Sequence, residues 1–160
     1  MQRVLQEMAE PVHTDAQLGS NFQPFDVGEL LESVVSALSD QSAHLRASVI
    51  LRIIEDVEMT GDLAGLHRIL LRLLVEAVNA APPGDVLFFE MRGRIGHGLE
   101  VALRGDHIWR PRLLLVQQAL ALHRGQIYFD VNALSGPEAR ISFPATCIRW
   151  PKPQLKQQFA

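Results

Sequence analysis

The sequence predicts an α+β protein: a two-layer α/β sandwich in which a mixed, mostly antiparallel sheet carries about three helices on one face. Three observations predict it. Apolar residues recur at helical spacing in three segments. About five short runs, rich in β-branched and aromatic residues, read as strands. Most of those runs fall in pairs joined by a glycine-bearing turn, as hairpins do. At 160 residues the chain suits one domain, long enough to bury most of the surface its unfolded form exposes.

Residues 2–10 read as a short helical piece, because Val4, Leu5, Met8 and Val12 recur at spacings of three to four before and across Pro11. His13 to Pro24, with Gly19, Ser20, Asn21 and Pro24, reads as a linker or ordered loop. Asp26 suits a helix N-cap, with Glu29 completing a capping-box pattern and Leu30, Leu31, Val34, Val35 and Leu38 following at helical period. Val49 to Ile54 is a β-branched run and predicts a strand; Gly61 and Asp62 end the turn after it. Asp62 opens the clearest helix, whose apolar stripe holds Leu63, Leu66, Ile69, Leu70, Leu73, Leu74, Ala77 and Ala81, and Pro82-Pro83-Gly84-Asp85 stops it.

Val86 to Met91 and Leu99 to Leu103 predict a hairpin turning through Gly93, Gly96 and Gly98. Pro111 suits the first turn of a third helix, to which Leu113, Val116 and Leu120 with Leu115, Ala119 and Leu122 give a wide apolar face that Gly125 ends. Ile127 to Val131 and Ala139 to Phe143 form a last strand pair around Ser135-Gly136-Pro137. The tail from Trp150 is rich in Pro and Gln. The chain therefore divides into an N-terminal piece and linker at 1–24, a domain at 25–146 and a tail at 147–160.

Composition sets limits on function. A net charge of −3, from 15 Lys and Arg against 18 Asp and Glu, supplies no basic field for phosphates, so no nucleic-acid partner is expected. The one cysteine, Cys147, cannot form an internal disulfide. Neither a signal-peptide run nor a stretch of roughly 20 apolar residues appears, which makes a cytoplasmic protein without a membrane partner the expectation. The six histidines show no spacing typical of a zinc site.

Four motifs in order carry a resemblance: Phe25 to Leu31, Gly61-Asp62 with Leu66 to Ala77, Ala121 to Ile127, and Ile141 to Pro144. Together they resemble the ATP-binding domain of sensor histidine kinases, over about residues 25–145. The resemblance implies the fold derived above and a nucleotide site, and the site is where this sequence departs. The family's two asparagines, four residues apart and the second a magnesium ligand, correspond here to Arg72 and Glu76, and its following basic residue to Asn79. Positions 72, 76 and 79 share one helix face opposite the apolar stripe. Glu76 reads either as a hard-oxygen magnesium ligand or as a surface carboxylate paired with Arg72.

Asp106 falls within one residue of the family's adenine-binding aspartate, but both glycines after it are gone, with Ile108 and Arg110 at those positions, and bulky Ile108 and Trp109 would fill the base pocket. Asp106 reads as an adenine acceptor or as a turn residue. Trp109-Arg110-Pro111-Arg112 runs straight into the third helix where the family has a lid and a glycine-rich phosphate loop. Arg110 and Arg112, with Trp109, are candidates for a partner-binding surface. The resemblance thus implies a degenerate nucleotide pocket at Arg72, Glu76, Asn79, Asp106 and Ile108, no catalytic residue and no metal site. No cofactor is expected, although weak binding of ATP and magnesium is left open. The expected role is a non-catalytic docking or regulatory module in two-component signalling, with a sensor kinase or a response regulator as partner and a homodimer compatible. The alternatives are a divergent ATP-binding domain of a sensor kinase, a histidine-phosphotransfer protein with a degenerate ATPase domain, or an anti-sigma-like binder.

Overall fold

The computed structural model describes residues 21–41, 47–94, 96–106, 113–131 and 136–149. The helical piece at 2–10, His13, Ile108, Trp109, Arg110 and Arg112, and the tail from Trp150 lie outside the described residues.

Strand β1 (Gln23–Asp26) leads into helix α1 (Val27–Gln41), and β2 (Ser48–Glu55) and β3 (Glu58–Gly61) precede the long helix α2 (Leu63–Ala80). Then come β4 (Val86–Arg94), β5 (Gly98–Arg104), helix α3 (Leu113–Ala121), β6 (Gln126–Asp130), β7 (Glu138–Phe143), a 3₁₀ turn at Ala145–Cys147 and β8 (Ile148–Arg149). Five strands form the main sheet in the order β2-β4-β5-β7-β6. The β2–β4 pair is parallel and the other three are antiparallel, so the sheet is mixed and mostly antiparallel, as the sequence predicts.

Period-2 alternation sorts the strands into two faces. Ile53, Met91, Val101, Ile141 and Ile127 stand opposite one another in succession across all five strands and form one row of the face that packs on the helices. Against this face α1 buries Leu30, Leu31, Val34 and Leu38, α2 buries Leu66, Leu70, Leu73, Leu74, Ala77 and Val78, and α3 buries Val116 and Leu120. One residue along, the next row is Arg52, Glu90, Ala102, Arg140 and Tyr128, on the face that no helix covers among the described residues. The result is the two-layer sandwich the sequence predicts, with three helices among the described residues. None of them is long and apolar enough to cross a membrane.

Helix ends follow their caps. The Asp26 carboxylate accepts the Glu29 N–H at 2.9 Å and the Asp56 carboxylate accepts the Gly28 N–H at 2.9 Å, satisfying two donors that the first turn of α1 leaves open. Asp62 caps α2 by accepting the Gly65 N–H at 3.1 Å, and Ala81 with Pro82 closes it. Gly98, at φ 98°, turns the β4–β5 hairpin where a Cβ would run into the Phe143 carbonyl.

Four readings need correction. A second sheet, in the order β1-β3-β8, has no counterpart in the sequence reading. Gln23 and Pro24 were expected in a linker but pair with Gly61 and Thr60, and Gly61, expected in a turn, is the end of a strand. Ile148 and Arg149, expected in the tail, pair with Met59 and Glu58. The fourth correction is Leu122: α3 ends at Ala121, so Leu122 leaves the apolar face and is exposed.

At the end of α3 the Arg124 N–H donates to the Ala121 carbonyl and the Gly125 N–H to the Leu120 carbonyl. This bonding pattern places the residue after the helix cap in the left-handed region, which favours glycine. Arg124 occupies it with φ 56° and an exposed side chain. Arg124→Gly removes the Cβ penalty, offset in part by the greater freedom of glycine in the unfolded chain. It is expected to stabilise the protein by about 0.5–1 kcal/mol, read as a raised midpoint in thermal or urea unfolding.

Candidate functional site

Helix α2 supplies the site because its two faces are so unequal. The stripe from Leu66 to Val78 is buried in the core, and the helical period then turns Arg72, Glu76 and Asn79 to the opposite side. Arg72 and Asn79 are exposed and Glu76 half-buried. Arg72 Nε lies 3.8 Å from Glu76 Oε1, an i,i+4 ion pair whose arginine side chain is 52% exposed. An exposed pair of this kind contributes a few tenths of a kcal/mol, about 0.3–0.5. Its chemical effect is larger than its energetic one, because it fixes one positive and one negative charge side by side on that face.

Beside the C-terminal end of α2 the sheet and helix enclose a cavity of about 20 Å³, walled by Ala77, Ala81, Leu87, Leu103, Phe129 and Pro137. That is room for roughly one water molecule, and Asp85 and Arg104 add charged groups to an otherwise apolar lining. Gly105 also lines it; a Cβ there would meet the Leu87 side chain. Asp106 borders a different cleft, of about 180 Å³, with Arg52, Phe88, Arg104 and Gly105, on the sheet face away from the helices. So the structure brings Arg72, Glu76 and Asn79 together and sets Asp106 on another surface.

The N-terminal end of α2 is held by a residue that the sequence did not mark out. His123 follows α3 and is 4% exposed. Its Nε2 accepts the Asp62 N–H at 2.9 Å, so the proton of the neutral ring sits on Nδ1. Phe22 stacks on the ring at 5.1 Å, and Phe143 meets it edge-on at 6.5 Å. A Cβ on Gly61 would lie 2.6 Å from the ring, so only glycine fits beneath it. Burial pushes the His123 pKa below its ordinary value of 6.5, against opposing pulls from the Ala119 carbonyl and the Asp62 carboxylate. Nδ1 itself reaches no partner with full hydrogen-bond geometry. A period-based search could not have found His123, since its partner lies 61 residues away.

The uncovered sheet face is laced with charge. Glu90 takes Arg104 closely and Arg52 at 3.6 Å, while Glu138 pairs with Arg140. Arg52 and Arg104 also lie over the Phe88 ring, at 5.1 and 5.9 Å from its centroid. Among the described residues no group of three His, Cys, Asp or Glu is placed to hold a metal ion.

No family model matches the sequence, and no curated protein matches it. Solved structures do. The cytoplasmic segment of histidine kinase QseC superposes with a TM-score of 0.68 at 21% identity, over 89% of this chain and 90% of that one. The mycobacterial sensor histidine kinase MprB gives a TM-score of 0.67 at 17% identity, over 82% and 99%. Histidine kinase ThkA, solved in complex with the response regulator protein TrrA, gives 0.65 at 15% identity, over 77% of this chain and 41% of that chain. At such identities the likeness is one of fold, and the fold is that of the histidine kinase catalytic domain.

His123 generates a test. In the folded protein it resists protonation, whereas in the unfolded chain it protonates near its ordinary 6.5. Its contribution is therefore complete above pH 6.5 and is lost as pH falls through the lower folded pKa. His123→Ala is expected to cost about 2–3 kcal/mol at neutral pH, from the cavity and the orphaned Asp62 N–H. In urea unfolding at a series of pH values, the gap between wild type and variant should narrow below pH 6.5.

Proposed function

We propose that this chain is a non-catalytic module with the histidine kinase catalytic fold, acting as a docking or regulatory protein in two-component signalling, with nucleotide binding lost. The observation that carries the reading is the Arg72–Glu76 pair on the helix face where the resemblance would put two asparagines and a magnesium ion. Magnesium binding through Glu76 alone would have to displace Arg72 from its carboxylate, and a carboxylate beside a triphosphate adds like charge to like. Asp106 gives no help from the far side of the sheet, in a cleft with Arg52 and Phe88.

The partner belongs to the proposal as well. ThkA is seen in complex with a response regulator, and a fold retained without its nucleotide chemistry keeps its surfaces available for such a protein or for a sensor kinase. In this reading Arg72, Glu76, Asn79, Asp106 and Ile108 are the remnants of a nucleotide pocket, and Trp109, Arg110 and Arg112 belong to a binding surface.

Titration calorimetry of the full chain with a non-hydrolysable ATP analogue and magnesium tests this. The expected result is no heat of binding at micromolar protein and ligand, with Glu76→Gln indistinguishable from wild type. Micromolar affinity that Glu76→Gln weakens would establish the rival reading, a divergent ATP-binding domain using Glu76 as its magnesium ligand.

A further inference from the structure

Strand β2 is an edge of the main sheet, bonded only to β4 among the described residues. Edge strands in native proteins are usually short, interrupted by proline or lysine, or covered, because their unpaired backbone groups invite another strand. β2 spans Ser48–Glu55, eight residues with no proline or lysine, and between its ends it carries one charge, Arg52. On the uncovered face it presents Ile50, 42% exposed, and Ile54, 49% exposed, on either side of Arg52, whose side chain is 57% exposed. Val86, paired with Ser48 on the neighbouring strand, is exposed as well, so the apolar strip continues inward. The one guard is a register shift between Ile53 and Glu55, at the far end.

We propose that the β2 edge receives an extended segment of a partner protein, which adds as a sixth strand and sets an acidic residue opposite Arg52. Apolar residues two positions to either side of that acid would meet Ile50 and Ile54. Main-chain bonds to the edge would supply affinity, and alternate side chains specificity. Arg52 is available for such a contact. It is 3.6 Å from Glu90, whose carboxylate is held more closely by Arg104, and it rests on Phe88 at 5.1 Å, which orients the guanidinium without using its N–H donors.

The same arginine argues against a second copy of this chain as the occupant. Antiparallel pairing of two β2 strands about a two-fold axis matches apolar with apolar on this face when Ile50 meets Ile54 of the second copy. That register sets Arg52 directly opposite its equivalent, and like charges facing one another across strands are destabilising. Moving the register by two residues sets Arg52 against Ile50 instead. A heterologous strand with an acid at the centre satisfies all three positions at once.

Fluorescence anisotropy tests the proposal with a short labelled peptide in which threonines alternate with valine, glutamate and valine, and a control carrying lysine in place of glutamate. The glutamate peptide should bind the full chain and slow amide exchange over Val49 to Ile54. Arg52→Glu should weaken it by about tenfold and favour the lysine peptide instead. Ile54→Lys, an exposed change that leaves the core intact, should abolish binding with the thermal midpoint unchanged. Absence of binding by either peptide, or binding indifferent to the Arg52 charge reversal, overturns the proposal. So does sedimentation showing a dimer of the wild type that Ile54→Lys dissolves, since the edge would then be filled by the chain itself.

Discussion

The seating of α2 on the main sheet is the constraint from which the rest of the molecule follows. Leu66, Leu70, Leu73, Leu74, Ala77 and Val78 leave the solvent together, and burying a large aliphatic side chain stabilises by about 1.5–3 kcal/mol. A rotation of the helix about its axis would expose that stripe, so the period leaves one rotational setting. In that setting Arg72, Glu76 and Asn79 have to face outward. Chemistry on α2 is therefore decided by side-chain identity alone, because the backbone is placed by the core whatever those three residues are. A scaffold can lose a ligand site at such positions and keep its fold, since none of the three contributes to the apolar seat.

The two ends of α2 are fixed by different means. At its N-terminus the Asp62 main-chain N–H is taken by His123 and the Asp62 carboxylate takes the Gly65 N–H, so one residue serves both as cap and as anchor to the end of α3. The His123 carbonyl, in turn, accepts from the Cys147 thiol at 3.3 Å, and Phe22 closes the ring from the other side. Residues before β1, after α3 and before β8 thus converge on one histidine, Phe22 on its ring and Cys147 on its main-chain carbonyl. The second sheet and the main core are joined there, and this is why the small sheet can be built from strands of two to four residues that would not hold by themselves. At the C-terminus of α2, by contrast, Ala80, Ala81 and Pro82 leave little side-chain volume, and the sheet closes over Ala77 and Ala81 to leave only a water-sized space.

The legible part of the fold was whatever had a period. Helix α2, with six buried residues in register, and the hairpin of β4 and β5, with alternating apolar residues around Gly96 and Gly98, could be read directly. Strand β2 could be read too, from its β-branched run, although isoleucine on both faces blurs which one is buried. The three strands of the small sheet could not. Gln23-Pro24-Phe25-Asp26 holds a proline and a capping residue, and Glu58 to Gly61 ends on the glycine that His123 covers, so local signals for a loop and a turn outweighed any strand propensity. Of the candidate site, the shared face of Arg72, Glu76 and Asn79 followed from helical spacing. The side of the sheet on which Asp106 falls did not, because it depends on the path of the chain beyond Gly105 and on which face β5 turns to the helices.

The uncovered face shows what a single-residue offset in register does. Stepping from the row of Met91 and Val101 to the row of Glu90 and Ala102 exchanges a dry core for a lattice of arginines and glutamates, because the side-chain period of a strand is two. Within that lattice Glu90 serves two arginines, and both guanidinium groups also lie near the Phe88 ring. Toward β2 the lattice gives way to Ile50 and Ile54 with Arg52 between them. A wholly charged outer face would repel an added strand and a wholly apolar one would accept any. A charge framed by two isoleucines does neither, and it confers selectivity on an edge that most sheets are built to conceal.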